Sequence, residues 1–193
     1  MNHTWWYVAR SGGIVAWTML AFATFWGLAL ATRFLGPKPR PNWMLDLHRF
    51  AAGIAVLFTG AHVLGLVMDS YVHFGPTQVL VPFTGDYHPM AVGWGIIGMY
   101  LLVAVELSSL LRKHISKRLW KGIHFLSFPL FAFSTVHLLT AGTDRANLLL
   151  RLTVLAITLV IGAATVARIL QPEAPKPARV PVRSATARPE QLV

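Results

Sequence analysis

Five long apolar stretches constrain the fold of this chain more than any other feature. They lie at about residues 10–32, 46–69, 89–111, 120–141 and 147–169. Each is long enough for a transmembrane helix, which needs about 20 predominantly apolar residues. The linkers between them hold helix breakers, such as GPKPRPN, FGPTQ and AGTD. The sequence therefore predicts an all-α integral membrane bundle of five transmembrane helices.

The composition agrees with a membrane protein. Of the 193 residues, 55% are hydrophobic and 12% are charged, whereas a soluble domain has about 25% charged residues. The chain contains no cysteine, which excludes disulfides, thiolate metal sites and iron–sulfur clusters.

The basic residues predict the orientation of the bundle. Only Arg10, Arg145 and Arg151 fall on one side of the predicted membrane, and the other 14 of the 17 Lys and Arg residues fall on the opposite side. The positive-inside rule then places the N-terminus outside and the C-terminus in the cytoplasm. We expect a multi-pass protein of the cell membrane. Because topology explains the net charge of +10, no nucleic-acid partner is needed.

The chain divides into two parts of unequal character. Residues 1–170 form the predicted transmembrane domain. Residues 171–193 are rich in proline and basic residues and nearly free of large apolar ones, which predicts a disordered cytoplasmic tail.

Four histidines lie in two of the predicted spans. His48 is the first and His62 the last residue of the segment HRFAAGIAVLFTGAH. His124 and His137 have the same positions in the segment HFLSFPLFAFSTVH. The spacings of 14 and 13 residues correspond to rises of about 21 and 19.5 Å along a helix. Both spans run from the cytoplasm outwards in the predicted topology. His48 and His124, the inner pair, are therefore expected at one depth, and His62 and His137, the outer pair, at another.

Two histidines at one depth on facing helices suit a flat cofactor. Helical bundles build such sites from inward side chains, and haem iron takes axial imidazole ligands in an apolar slot. The sequence thus predicts two haems, with His48 and His124 on the inner iron and His62 and His137 on the outer. The alternative is a structural role or a proton relay, as in a histidine-relay transporter without haem.

His124 and His137 would not share one face of a regular helix. Fourteen residues bring His48 and His62 to one face, but thirteen leave His124 and His137 on different faces. Pro129 lies between them and is expected to rewind the helix locally.

Several neighbours of the histidines are candidate supporting residues. Gly53 and Gly60 are expected to leave room for a macrocycle. Thr59 and Ser134, each three residues before an outer histidine, are candidate acceptors for the second ring N–H. Their alternative role is a hydrogen bond to the carbonyl four residues earlier. Arg49, beside His48, is the predicted partner of a haem propionate.

Three further features of the sequence carry weaker predictions. Glu106 lies within the third span, where a carboxylate suggests a proton path or merely the nearby interface. His73 and His88 flank an outer loop that also holds carboxylates, which permits a metal-ion acceptor site, although such residues are more often simply solvated. The GxGxxG match at residues 93–98 lies inside a predicted span, so helix packing explains it better than a dinucleotide site.

The paired histidine segments, with the basic approach SLLRKHISKRLWKGIH at residues 109–124, resemble the ferric reductase-like transmembrane domain. That family includes the NADPH oxidases, the metalloreductases and the haem subunit of a bacterial methionine sulfoxide reductase system. The similarity covers about residues 10–170.

The resemblance implies electron transfer from a cytoplasmic flavin, through two b-type haems, to an acceptor outside such as ferric iron. No catalytic side chain is predicted for this function. The chain departs from the family in having five predicted spans rather than six, and in having no FAD or nicotinamide domain. FAD or FMN is therefore expected only in a separate cytoplasmic flavoprotein reductase. The chain is expected to act as the membrane component of an oxidoreductase, or as the haem-binding subunit of a separate reductase complex.

Overall fold

A computed structural model describes residues 3–32, 42–70 and 74–170, and these residues are almost entirely helical. The predicted tail at 171–193 lies outside the described residues. Within these ranges, seven α-helices and one 3₁₀ turn follow one another: α1 Thr4–Thr32, α2 Asn42–Met68, α3 Pro76–Leu80, α4 Pro89–Leu110, α5 Lys117–His124, α6 Ser127–Ala141, the 3₁₀ turn Thr143–Ala146, and α7 Leu148–Leu170.

Five helical segments of the described chain are long and apolar enough to cross a membrane. They are α1, α2, α4, the combined segment Lys117–Ala141 and α7. The five predicted helices are therefore confirmed as segments long and apolar enough to span a membrane, with starts up to six residues earlier than expected. Large apolar side chains on the outside of the bundle remain uncovered, for example Leu149 and Leu159 of α7 at 76% and 73% exposure. Such a surface suits a lipid environment.

The fourth span is interrupted directly after His124. Pro129 has no N–H, and its ring would collide with the Phe125 carbonyl in a regular helix. The chain instead makes tighter bonds at this point, from Leu126 N to Ile123 O at 2.9 Å and from Phe128 N to Phe125 O at 3.2 Å. The rewinding expected from Pro129 is present one turn before the proline, and it separates α5 from α6.

Small residues let α1 and α2 approach closely. A Cβ on Gly12 would lie 3.1 Å from the backbone nitrogen of His62, and one on Gly65 would lie 2.6 Å from that of Ala9. Helices in membranes associate through such small residues, because lipid tails give little hydrophobic drive for side chains to cluster. Of the helix pairs in the described chain, α1 with α2 and α4 with α6 have the most extensive contacts.

A buried core joins these two helix pairs between the histidine levels. Trp17 of α1 stacks on Phe131 of α6 with ring centroids 6.0 Å apart, and its indole N–H donates to Thr135 Oγ1 at 2.9 Å. Leu130 and Val154 are at most 2% exposed. The core holds the histidine-bearing helices at a fixed separation.

The segment that precedes α4 packs on its first turns. Phe83 has a left-handed φ of 67°, and its ring lies against Gly93 and edge-on to Trp94, with centroids 5.7 Å apart. The GxGxxG match falls inside α4, as predicted, and its glycines contact side chains of the segment at 74–88 and of α6.

Candidate functional site

The four intramembrane histidines meet in two pairs. The rings of His48 and His124 have centroids 6.2 Å apart and planes at 68°. The rings of His62 and His137 have centroids 6.1 Å apart and planes at 79°. The structure therefore brings together the inner and outer pairs that the depth argument predicted.

The ring separations match those of two imidazoles on one metal ion. An imidazole nitrogen binds such an ion at about 2.0 Å, and the ring centre lies about 1.1 Å further out, so two axial rings have centroids about 6.2 Å apart. Direct hydrogen bonding between the rings would bring the centroids closer. Both pairs thus leave a gap of the width that one iron atom fills.

Three of the four rings are oriented by main-chain carbonyls of a neighbouring helix. The Nδ1 atoms of His48, His62 and His137 lie 3.0, 2.6 and 2.8 Å from the carbonyl oxygens of Ala23, Ala9 and Ala91, respectively. A carbonyl only accepts, so each Nδ1 carries the ring proton. Each Nε2 therefore keeps its lone pair for a metal ion, and a bonded Nδ1–H is the usual support of a ligating histidine.

A glycine lies four residues after each of the three alanines whose carbonyls accept these bonds. In an α-helix the carbonyl of residue i points at the N–H of residue i+4, so a ring that reaches this carbonyl must lie beside residue i+4. The Cβ of any other residue would stand 2.9 Å from His62 Nδ1 at Gly13, 3.3 Å from His48 Cε1 at Gly27, and 2.5 Å from His137 Nδ1 at Gly95. The three glycines make room for the imidazoles.

This supporting arrangement replaces the one predicted from sequence. Thr59 donates to the Ala55 carbonyl at 2.7 Å, which is the alternative back-bonding role, and His62 and His137 bond to main-chain carbonyls rather than to Thr59 and Ser134. The prediction for those two hydroxyls is wrong. The repeated pattern Ala-x3-Gly, at 9–13, 23–27 and 91–95, was the available signal.

The predicted role of Gly53 and Gly60 in leaving room for a macrocycle stays a prediction. Both lie on exposed parts of α2, and a Cβ at either position would meet nothing within 4 Å. The space beside the rings comes from glycines of α1 and α4.

His124 differs from the other three histidines. Its Nδ1 is buried and has no hydrogen-bond partner. Its ring stacks on Trp120, one turn earlier in α5, with centroids 5.1 Å apart and planes at 24°. The inner pair therefore combines one ring held by a carbonyl with one held by stacking.

A cavity opens beside the outer pair. It is lined by His62, His137 and mainly apolar side chains, among them Leu20, Leu102 and Leu130. Arg10 and Asp144 also line the cavity. They form a bidentate ion pair, in which Arg10 Nε lies 2.6 Å from Asp144 Oδ2. An apolar cavity that exposes two aligned imidazoles suits a macrocycle with a metal centre.

Two other predicted residues, Arg49 and Glu106, make no hydrogen bond to the four rings within the described ranges. Arg49 is an exposed side chain 3.5 Å from Asp46, a weak pair that leaves its proposed role as a propionate partner untested. Glu106 lies in α4 and is partly buried.

The outer loop contains no metal site within the described residues. His88 contacts Arg145 at 3.3 Å, and His73 lies outside the described ranges. In residues 3–32, 42–70 and 74–170, no group of three or more His, Asp or Glu side chains could hold a metal ion. Axial haem ligation, by contrast, needs only two.

These features define a multi-pass α-helical membrane protein with two facing pairs of histidines in its bundle. Comparison of the chain with protein-family models, curated proteins and solved structures finds no match in any of the three. The similarity to the ferric reductase-like domain therefore rests on the histidine spacing and the segments that carry it.

Proposed function

We propose that this protein carries electrons across the cell membrane through two b-type haems. The observation that carries the proposal is the pair of imidazole separations, 6.2 and 6.1 Å, with three Nδ1 atoms engaged by carbonyls. A haem held by both histidines of a pair would supply one-electron exchange and would leave no place on the metal for a substrate.

The chain's own residues would do three things for this function. His48 and His124 would hold the inner haem, and His62 and His137 the outer. The carbonyls of Ala9, Ala23 and Ala91 would keep three rings in one tautomer. The apolar packing around Trp17 and Leu130 would exclude water between the two levels, which lie about 21 Å apart along α2.

The direction of transfer is proposed from charge and resemblance. With the N-terminus outside, the inner pair lies at the cytoplasmic end, beside the basic residues of 112–121. A cytoplasmic flavin or flavoprotein reductase, with an acidic docking face, would supply electrons there. The acceptor outside would be ferric iron or a comparable oxidant, and the chain would form the membrane component of the oxidoreductase.

The same geometry speaks against a proton relay. A relay needs polar groups at short intervals, whereas the described core between the levels consists mainly of apolar residues such as Leu20, Ala55 and Leu102. The three carbonyl bonds also fix ring protons that a relay must exchange.

Spectroscopy of the purified protein tests the proposal. We expect two b-type haems per chain and, after addition of dithionite, the sharp visible bands of low-spin haem. His62→Ala or His137→Ala should remove the outer haem and spare much of the inner one, and His48→Ala or His124→Ala should do the reverse. A folded but colourless protein would favour the transporter, and loss of both haems from every single variant would refute the pairing.

Transport of electrons needs a separate experiment. Proteoliposomes that contain the protein and an enclosed ferric chelate should reduce the chelate when a flavin reductase and its nicotinamide substrate are added outside. Liposomes with His48→Ala protein are the matched control.

A further inference from the structure

Two buried nitrogen atoms without hydrogen-bond partners belong to stacked rings at the inner histidine pair. Trp120 Nε1 and His124 Nδ1 are the buried side-chain polar atoms without a hydrogen bond in the described part of the chain. A buried N–H without an acceptor is destabilising, and such groups in native proteins usually mark a missing partner. The two rings stack on each other with centroids 5.1 Å apart, so an acceptor at the edge of the Trp120 ring would lie close to the inner pair.

The surroundings of these donors are strongly positive. The Arg112 guanidinium carbon lies 4.5 Å from the centre of the Trp120 ring, and the ion pairs of the described chain do not include Arg112. The sequence contains four more basic residues by position 121 and no Asp or Glu between residues 107 and 143. Hydrogen-bond donors surrounded by positive charge favour an acceptor with anionic oxygen atoms.

We propose that Trp120 and Arg112 bind a carboxylate of the inner haem. This inference rests on the proposed function, because His124 is then an axial ligand and Trp120 lies against it. The indole N–H donates a charge-assisted hydrogen bond to a propionate, and the guanidinium supplies the opposite charge. Arg49, which pairs with Asp46 on the exposed side of α2, is not required for this contact.

A lipid phosphate offers the same chemistry, so the experiment separates the two sources. Full-length His137→Ala protein, which retains only the inner site, is freed of haem and placed in nanodiscs of neutral lipid. It is titrated with protohaem and with its dimethyl ester, in which both carboxylates are blocked. This His137→Ala protein, the parent of the variants below, should bind protohaem about tenfold more tightly than the ester, as expected for a hydrogen bond to a charged group.

Trp120→Phe removes the N–H and keeps an aromatic ring for stacking. It should weaken protohaem binding about tenfold and leave the affinity for the ester unchanged. Arg112→Gln should act in the same direction. Lys113→Gln is the matched control, because it removes a charge from an exposed neighbour and should change neither affinity by more than about twofold.

Three results would overturn the inference. Equal weakening of protohaem and ester by Trp120→Phe would show a packing role only. An effect that appears only when the nanodiscs contain anionic lipid would assign the site to a headgroup. Equal affinity of the parent protein for acid and ester would show that no carboxylate is bound. By contrast, failure of the parent protein to bind any low-spin haem would refute the proposed function itself, and this inference with it.

Discussion

The glycine beside His137 offers the sharpest test of how the outer pair is built. A Cβ on Gly95 would stand 2.5 Å from His137 Nδ1 and 2.7 Å from Cε1. Ordinary van der Waals contact begins at 3.4 Å, so Gly95→Ala must push the ring back by about 0.9 Å, the difference between these distances. Metal sites tolerate deviations of only about 0.2 Å in the distance between ligand atom and metal.

The displaced ring would also lose its orientation. The bond from His137 Nδ1 to the Ala91 carbonyl is 2.8 Å long and runs past Gly95, so a shift of this size stretches it beyond hydrogen-bonding distance. Loss of such a supporting bond typically weakens metal binding about 10- to 100-fold. We therefore expect Gly95→Ala to lose the outer haem and keep the inner one, so that the haem content falls towards one per chain.

The measurement is haem content per chain, combined with a redox titration that resolves the two haems. Gly60→Ala is the matched control, because it adds the same methyl group on α2, two residues from His62, where nothing lies within 4 Å. Both substitutions raise helix propensity, so a difference between them reports the ring contact. Retention of the outer haem by Gly95→Ala, or an equal loss in Gly60→Ala, would refute this account of the site.

Three more results are expected from the packing of the bundle. Gly27→Ala should weaken inner haem binding less than Gly95→Ala weakens the outer, because its Cβ would lie 3.3 Å from His48 Cε1; an equal or larger loss contradicts the contact argument. Both haems should give highly anisotropic low-spin EPR signals, since the ring planes lie at 68° and 79°, whereas ordinary rhombic signals would indicate parallel rings. Trp17→Phe should lower the free energy of unfolding by about 1–3 kcal/mol, through the lost bond to Thr135 and the smaller ring, with exposed Trp43→Phe as the control in the same unfolding assay.

The spans could be predicted because hydropathy is a local property of the chain. Twenty apolar residues specify a membrane helix wherever its neighbours lie. The matching of the histidines by depth followed from equally simple quantities, a rise of about 1.5 Å per residue and two spans that run in the same direction. Rotation about the helix axis was harder to predict, because the break near Phe125 changes it and depends on how Pro129 is accommodated.

The supporting residues could not be found by looking next to the histidines in sequence. Gly60 precedes His62 by two residues and Gly53 follows His48 by five, so each lies well over 90° around α2 from its histidine. Arg49 is about 100° from His48 for the same reason, on the exposed side of the helix. Proximity in sequence is a poor guide to a shared helical face unless the spacing is three, four or seven residues.

The true supports lie on other helices and use atoms that every residue has. Ala9 and Ala23 contribute only carbonyl oxygens, which no residue type reveals. Their spacing of 14 residues on α1 nevertheless equals that of His48 and His62 on α2, because two antiparallel helices in long contact repeat their faces at the same interval. A repeated Ala-x3-Gly that matches a histidine spacing elsewhere in the chain is therefore a usable signal for such sites.

The unequal support of the two pairs predicts unequal haem affinity. Both outer rings are held by carbonyl bonds, whereas in the inner pair only His48 is held in this way. His124 must lose more rotational freedom when it binds iron, and one missing support corresponds to about a tenfold difference in affinity. Haem dimethyl ester, which removes the proposed carboxylate contact, is titrated into the separate one-site variants, His48→Ala for the outer site and His62→Ala for the inner, and should bind the outer site more tightly. Tighter binding of the ester at the inner site would mean that stacking on Trp120 orients His124 at least as well as a carbonyl does.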